Sequence, residues 1–496
     1  MQSPILTPLK PLPPSERHRV TLGEPSTQTA PGQTLVGIAV HRPASVLGAG
    51  SRSLSAAVER RTLRFGMAGS AFEGLHNGLA SMSTYVAIKG MGVGFEHWEE
   101  LISTLMQMLP SIFMAFAMVW SSGGRVRKRR NYWLFVAFFG RLVLLTVALF
   151  LNPFLFVGLV AFQSIVCSGI APGLNHVWGA NLTARNRGRV FTYVSLTSEV
   201  TTMVGALVAG VLLDGLHFEG AGISIHTDGH AHNYAYVYPA AAVIGFIGML
   251  WFWRIRLRFT PAHASDRDVP RLSARLQRAW TQARDLLARD RDFRMYEFGF
   301  FLYGTAFMMT AAVVPLFFKN TLQASYKDFS LATVVLVQVM HMISVPLVAR
   351  YASRRRVTVV TRIPFWLLVF YPALLGATAL VARHDREAAI PLVYCAFTLF
   401  GVAMALIHFV WSLGPVAFAR GGNPLPYTST HAALVGVRAS VGFPIAYAIM
   451  WLFPDEPLPI FGLAMCSFFA AGLVMTVLDR RLRSLANQTT TYAMNG

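Results

Sequence analysis

Two carboxylic acids stand inside long apolar runs. Glu73 lies nine residues beyond Arg64, about 13 Å along a helix that rises 1.5 Å per residue. Ser70, Asn77, Ser81 and Thr84 share its face, with His76 at the edge. Glu199 lies ten residues beyond Arg189, with Thr192, Ser195 and Thr202 on its face. An ionised side chain at the middle of a bilayer costs about 2.5–3.5 kcal/mol on insertion scales, so each acid needs a reason to be there. One reason is chemical: a carboxyl that accepts a proton or contacts a solute. The other is structural: a carboxyl that completes a buried hydrogen-bond network.

Further polar groups recur at helical spacing. Thr104, Gln107 and Ser111 share one face, Gln163 stands alone, and Gln338, His341 and Ser344 form a stripe. His408, Trp411 and Ser412 follow in a later run, and Arg438 lies seven residues past His431. That depth, about 10 Å, is too great for Arg438 to snorkel, so it reads as an anion-binding group or a partner for a carboxylate. Arg362 and Glu297 lie close to basic ends and read as snorkelling side chains. His217, His226, His230 and His232 crowd one loop without cysteine or regular ligand spacing, which reads as a solvated loop and no metal site. No phosphate-cradling glycine loop with a lysine occurs, so no cofactor and no ATP-driven chemistry is expected.

The elements that must carry these residues are apolar runs of membrane-spanning length. They read as Phe65–Ile88, Leu101–Trp120, Tyr132–Leu151, Phe154–Trp178, Val190–Leu213 and Tyr234–Trp253, then Phe293–Phe318, Ser330–Arg350, Val357–Val381, Ala388–Ala419, His431–Phe453 and Leu458–Leu478. Of the 496 residues, 54% are hydrophobic and 13% charged, about half the charge of a soluble chain. The net charge of +20 would otherwise suggest nucleic acid, but the arginines occupy short loops between apolar runs. Counted by loop, 35 of the 43 Lys and Arg fall on one side when the N-terminus is cytoplasmic, which predicts both termini inside. Cys167, Cys395 and Cys466 lie within apolar runs and read as core residues without disulfides.

Residues 1–62 are rich in Pro, Ser and Thr and read as a disordered cytoplasmic tail without a signal peptide. Residues 63–253 and 293–480 form two six-helix sets, and 481–496 a second tail. Between the sets, residues 254–292 form a basic linker. Its core, Pro270–Asp290, reads as an amphipathic helix: Leu272, Leu276, Ala279/Trp280, Ala283 and Leu286/Leu287 fall at helical spacing on one side, with Arg271, Arg275, Arg278 and Arg284 on the other. Such a helix suits anionic lipid headgroups.

The plan resembles the major facilitator superfamily. Its loop motif between spans 2 and 3, Gly-x-x-x-Asp-Arg-x-Gly-Arg-Arg/Lys, is matched in part by residues 120–130, where Arg125, Arg127, Lys128, Arg129 and Arg130 supply the basic end and Gly124 replaces the aspartate. The loop Arg350–Arg356 of the second set, with Arg354 and Arg355, also lacks the acid. Asn186-Arg187-Gly188-Arg189 with Gly205, Gly210, Leu213 and Asp214 is similar to the span 4–5 region, and Tyr427–Arg438 to the start of span 11 in a bacterial branch. The resemblance implies an all-α, twelve-span fold of two six-helix bundles in the inner membrane, acting by alternating access. It also implies that spans 1 and 5 border a central cavity and that span 3 is peripheral. Arg141, in span 3, therefore needs a partner, for which Glu199 is one choice.

The resulting expectation is a monomeric, multi-pass secondary transporter of a small polar solute, anionic or zwitterionic, coupled to protons. Glu73 and Glu199 are the proton-coupling candidates. His76, Asn77, Gln107, Gln163, Gln338, His341, His408, Trp411 and Arg438 are the solute-binding candidates, and Arg125, Lys128, Arg129, Arg354 and Arg355 the gating ones. Alternatives are an exporter of amphipathic compounds, a transport-dead sensor, and a membrane-integral transferase using His76 or His431.

Overall fold

In a computed structural model the described residues are 49–90, 97–122, 126–149, 152–182, 184–215, 217–220, 223–226, 233–255, 272–352, 355, 357–419 and 425–495. The first half holds α1 (Ala49–Ala80), α2 (Ser83–Gly90), α3 (Trp98–Ser122), α4 (Val126–Phe135), α5 (Pro153–Cys167), α6 (Ile170–Asn181), α7 (Ala184–Asp214) and α8 (Tyr234–Trp253). The linker carries α9 (Leu272–Arg289). The second half holds α10 (Arg291–Leu316), α11 (Tyr326–Ser330), α12 (Val337–Ala352), α13 (Val357–Ala382), α14 (Arg386–Phe418), α15 (Leu425–Leu452) and α16 (Leu458–Asn495). The predicted spans overlie these helices; Tyr132–Leu151 only begins at the end of α4 and continues through a π turn and a 3-10 stretch, and α9 lies within one or two residues of the predicted linker helix. Among the described residues, nine helices are long and apolar enough to cross a membrane.

Three differences from the sequence reading have physical causes. Helix α1 starts at Ala49, ahead of the first apolar run, because Ser51 to Arg64 contains no Gly or Pro to stop it. Likewise α16 runs to Asn495 through what read as a tail. The loop after α7 carries a hairpin of β1 (His217–Gly220) and β2 (Ile223–His226), whose register sets His217 opposite His226. His230 and His232 lie outside the described residues.

The helices are interrupted where polar residues must be aimed. Wide π turns cover Val136–Arg141, Phe317–Thr321 and Leu331–Leu336, and a 3-10 stretch covers Leu142–Ala148. π turns rotate the side chains that follow and are common at functional positions. Here they bear Arg141, Lys319 and Thr333, each discussed below.

Helices α1 and α7 meet backbone to backbone. A Cβ on Gly78 would stand 2.1 Å from the Thr202 carbonyl, and one on Gly205 would stand 2.5 Å from that of Leu75. Only glycine at both positions allows this approach. The crossing holds α1 against α7, the helix that bears Glu199.

Buried apolar side chains fall into two clusters. The larger joins both halves and includes Tyr85, Phe300, Phe318, Phe329 and Leu375. The smaller, with Trp133, Trp178, Val190, Met249 and Phe252, belongs to the first half alone. It sits at the end where α8 runs into the linker. The halves thus share a core toward the end remote from α9 and keep separate cores at the other. Large apolar side chains such as Phe139, Phe298, Leu347 and Val477 are exposed, as lipid-facing side chains would be.

Candidate solute path between the halves

Each half buries one cluster of a glutamate, a histidine and an arginine. In the first, Arg141 reaches Glu73 with one guanidinium nitrogen and His76 with the other. His76 Nδ1 lies 2.7 Å from the Ala241 carbonyl and Gln163 Nε2 lies 2.8 Å from His76 Nε2. A carbonyl only accepts, so His76 donates from Nδ1 and accepts from Arg141 and Gln163 at Nε2. In the second half, Glu297 accepts from His431 Nδ1 at 2.8 Å and from Arg438 Nη2 at 3.0 Å. Trp411 stacks edge-on against His431 at 5.5 Å. A glycine makes room for each arginine: a Cβ on Gly245 would stand 2.8 Å from Arg141 Cδ, and one on Gly304 would stand 2.5 Å from Arg438 Cδ.

These clusters correct several sequence readings. Arg141 is paired with Glu73, not Glu199. Arg438 is paired within its own half, not with a carboxylate of the first. Glu297 does not snorkel; its side chain is 3% exposed, because two donors meet it inside the bundle. Glu73, His76, Gln163, Trp411 and Arg438 are therefore engaged in the interior of single halves and do not gather around a shared cavity. Arg362 does lie near the surface, 3.5 Å from the buried Asp479. Cys395 and Cys466 are exposed on their helices instead of lying in the core, and Cys167 faces the Gly140 carbonyl.

Between the halves the arrangement is different. Glu199 on α7 and His341 on α12 stand 3.4 Å apart, both partly exposed, at ion-pair distance without hydrogen-bond alignment. His408 on α14 meets the His341 ring edge-on at 5.7 Å. Of the candidates read from the sequence, these three are brought together across the two halves. Gln338 is half-buried one turn before His341, and Asn77 is exposed one turn beyond Glu73.

A chamber of about 320 Å³ lies between the halves. Its polar lining is Ser81, Thr84, Gln107, Thr310 and Thr333, and its apolar lining includes Phe307, Phe329, Tyr371, Phe397 and Phe400. The first three polar residues were legible as helical stripes; Thr310, Thr333 and the aromatics were not singled out, since nothing distinguishes a chamber-lining Thr or Phe from a packed one. His341 and His408 each lie eight residues past a lining residue, Thr333 and Phe400, about 12 Å further along their helices.

Beyond the chamber, at the end remote from α9, the halves are joined by named contacts. Tyr85 and Lys89 both donate to the Ala324 carbonyl at 2.6 Å. Asp214 accepts the backbone N–H groups of Tyr326 at 2.8 Å and Lys327 at 2.6 Å. Lys319 pairs with Glu99, and Ser103, Gln107 and Ser330 bond backbone carbonyls of the opposite half. Of the gating candidates, Arg125 and Arg354 lie outside the described residues, Lys128 and Arg129 belong to α4, and Arg355 is exposed over the Tyr351 ring.

Two helical halves with separate buried charge clusters, a shared chamber and one closed end are an arrangement suited to a multi-pass membrane transporter, and the chain's family match marks it as a transporter, not an enzyme. The sequence pattern of the Major Facilitator Superfamily matches residues 67–416, and the chain belongs to that family. No curated protein sequence matches it. Solved structures with a similar fold include a variant of the nucleoside transporter NupG, with 11% identity over 84% of this chain and 99% of that one and a TM-score of 0.61. The human organic anion transporter MFSD10 is 15% identical over 84% and 99%, with a TM-score of 0.54. A D-xylose–proton symporter is 12% identical over 85% and 97%, with a TM-score of 0.58.

Proposed function

We propose that the chain is a proton-coupled secondary transporter of a small solute, working by alternating access across the inner membrane. The observation that carries the reading is the Glu199–His341 pair, a carboxylate of one half against a histidine of the other, partly exposed and about two turns from the chamber. Protonating Glu199 would remove its attraction for His341 and so alter how strongly the halves hold together at that level. Twelve spans with both termini cytoplasmic, as the arginine distribution suggests, would make the closed end the outer one. The structure would then stand open to the cytoplasm. Glu73 is engaged by Arg141, so coupling is assigned to Glu199 in its place.

The mixed-charge cavity expected for an anionic or zwitterionic solute loses its support, because Glu73 and Arg438 are spent inside single halves. The aromatic lining favours a second reading, an exporter of amphipathic compounds. A transport-dead sensor is disfavoured by the open volume. Solute and protons are the partners in this reading, with anionic headgroups at α9; the protein acts as a monomer and uses no cofactor.

The test is uptake of labelled xylose and uridine into proteoliposomes holding the full chain, with and without an imposed pH gradient. Gradient-driven uptake should vanish in Glu199→Gln while exchange of labelled for unlabelled solute persists. Gradient-driven accumulation unchanged in that variant would overturn the coupling, and absence of any gradient effect in the parent would overturn it as well.

A further inference from the structure

Most of the chamber's polar lining has one hydrogen-bonding sense, with the Thr84 and Tyr371 hydroxyls outside that set. Ser81 donates its hydroxyl proton to the Gly78 carbonyl at 2.7 Å, Thr310 to that of Ala306 at 2.9 Å, and Thr333 to that of Phe329 at 2.7 Å. Gln107 Nε2 donates to Ala311 O at 2.7 Å and to Ser103 O at 3.3 Å, and two carbonyl partners fix which end of the amide is nitrogen. Four polar side chains have thus committed their protons to backbone, and what each has left is an oxygen lone pair. A lining dominated by acceptors favours groups that donate over groups that only accept.

Among the described residues, no Lys, Arg, His, Asp or Glu lines the chamber. An anion entering it would meet acceptor oxygens without a countercharge, and a cation would lose its hydration with no carboxylate to replace it. Aromatic rings lie beside these polar groups: Phe307 and Phe400 lie nearly parallel at 6.0 Å, and Tyr371 lies 4.7 Å from Phe400. Flat rings there suit a flat or apolar face of a solute.

From this we infer that the chamber takes an uncharged solute that donates several hydrogen bonds and also offers an apolar face to the aromatic rings. A hydroxylated ring compound of pentose or nucleoside size has that chemistry. The inference rests on the transport reading above, and it replaces the charged solute expected from sequence with a neutral donor. It also separates two tasks: the chamber recognises, while the ionisable groups two turns away handle the proton.

The experiment measures binding to the full chain in detergent by equilibrium dialysis, with two charge series as probes. One is uridine, its 5′-monophosphate and its 5′-amino-5′-deoxy analogue; the other is xylose, xylonate and xylosamine. The neutral member of at least one series should bind at least about tenfold more tightly than either charged member. Thr310→Val and Gln107→Leu should each weaken it by about 5–10-fold, the loss of one hydrogen bond. In a chain with Cys167, Cys395 and Cys466 replaced by serine, the neutral probe should protect Thr333→Cys from maleimide. A charged member binding as tightly as its parent overturns the inference while leaving transport intact. Binding without protection of Thr333→Cys moves the solute elsewhere and also overturns it. If no member binds, the neutral-donor chamber is rejected, and the transport reading is decided separately by the pH-gradient uptake test.

Discussion

The Asp214 carboxylate accepts the backbone N–H of Lys327 at 2.6 Å, so the last residue of α7 caps the start of the helix opposite, in the other half. Its second oxygen takes the N–H of Tyr326. Within that turn Ser325 already accepts the N–H of Asp328 at 3.0 Å. The first turn of a helix leaves N–H groups without intrahelical partners. Here one half supplies acceptors to the other, and the supply lasts only while the two are closed together.

Asp214→Ala should therefore weaken closure at that end without unfolding either half. Loss of a side-chain cap costs about 1 kcal/mol, a roughly fivefold shift toward the open arrangement. Ala324 is buried beneath this junction and contributes only its backbone carbonyl to Tyr85 and Lys89, so Ala324→Cys is a neutral reporter. In a chain otherwise free of cysteine, maleimide should label it about five times faster once Asp214 is replaced. An unchanged rate would remove Asp214 from the gate.

The Arg141–Glu73 pair predicts a different kind of loss. Both side chains are buried, and removing one partner of such a pair leaves an uncompensated charge costing about 3–5 kcal/mol. Arg141→Met should lower the melting temperature in detergent by at least about 5 °C. Arg141→Met combined with Glu73→Leu should recover most of that loss, since neither charge then remains. If the double variant melts no higher than the single one, the pair does not act as a unit. The same comparison applies to Arg438 and Glu297.

Helix positions were legible because lipid demands long apolar runs and charge gathers in loops. What the polar residues do inside those runs was less so. Depth along a helix was measured from the nearest arginine, which flagged Glu73 and Glu199 alike, yet one is paired in a closed interior and the other faces the opposite half. The difference lies in partners far off in the chain: Arg141 is 68 residues from Glu73 and Arg438 is 141 from Glu297. Glu297 was misjudged for the same reason, since nearness to a basic end says nothing about a histidine and an arginine waiting on α15. Asp214 did carry a signal, an acid closing an apolar run, matched by Ser325-x-x-Asp328 at the start of another.

The Gly78–Gly205 contact predicts a steric effect. Valine at Gly78 would drive its side chain into the Thr202 carbonyl and the Ala206 nitrogen, both backbone atoms that cannot rotate away. Helices α1 and α7 would have to separate, which displaces Glu199 on α7 relative to His341. Gly78→Val should cost about 1–3 kcal/mol of stability, as overpacking does. It should also cut pH-driven uptake more than Gly462→Val, because Gly462 has open space around it. Equal effects at the two positions would show the crossing to be unimportant.

Helix α9 turns Ala283, Leu286 and Leu287 toward the bundle and leaves Arg278, Arg284 and Arg289 exposed. Trp280, read from the sequence as part of the apolar face, is 66% exposed and shares the outward side instead. An indole among arginines matches the layer between headgroups and acyl chains, where each arginine near an anionic surface contributes about 1 kcal/mol. A nitroxide at Trp280→Cys, again in a chain otherwise free of cysteine, should become less accessible to a water-soluble relaxer when nanodiscs contain phosphatidylglycerol in place of phosphatidylcholine alone. High salt should reverse the change, because the attraction is screened within about 8–10 Å. Arg278→Gln with Arg284→Gln should abolish it. Accessibility that is identical in the two lipids would mean that α9 is held by the bundle alone, with its arginines simply solvated.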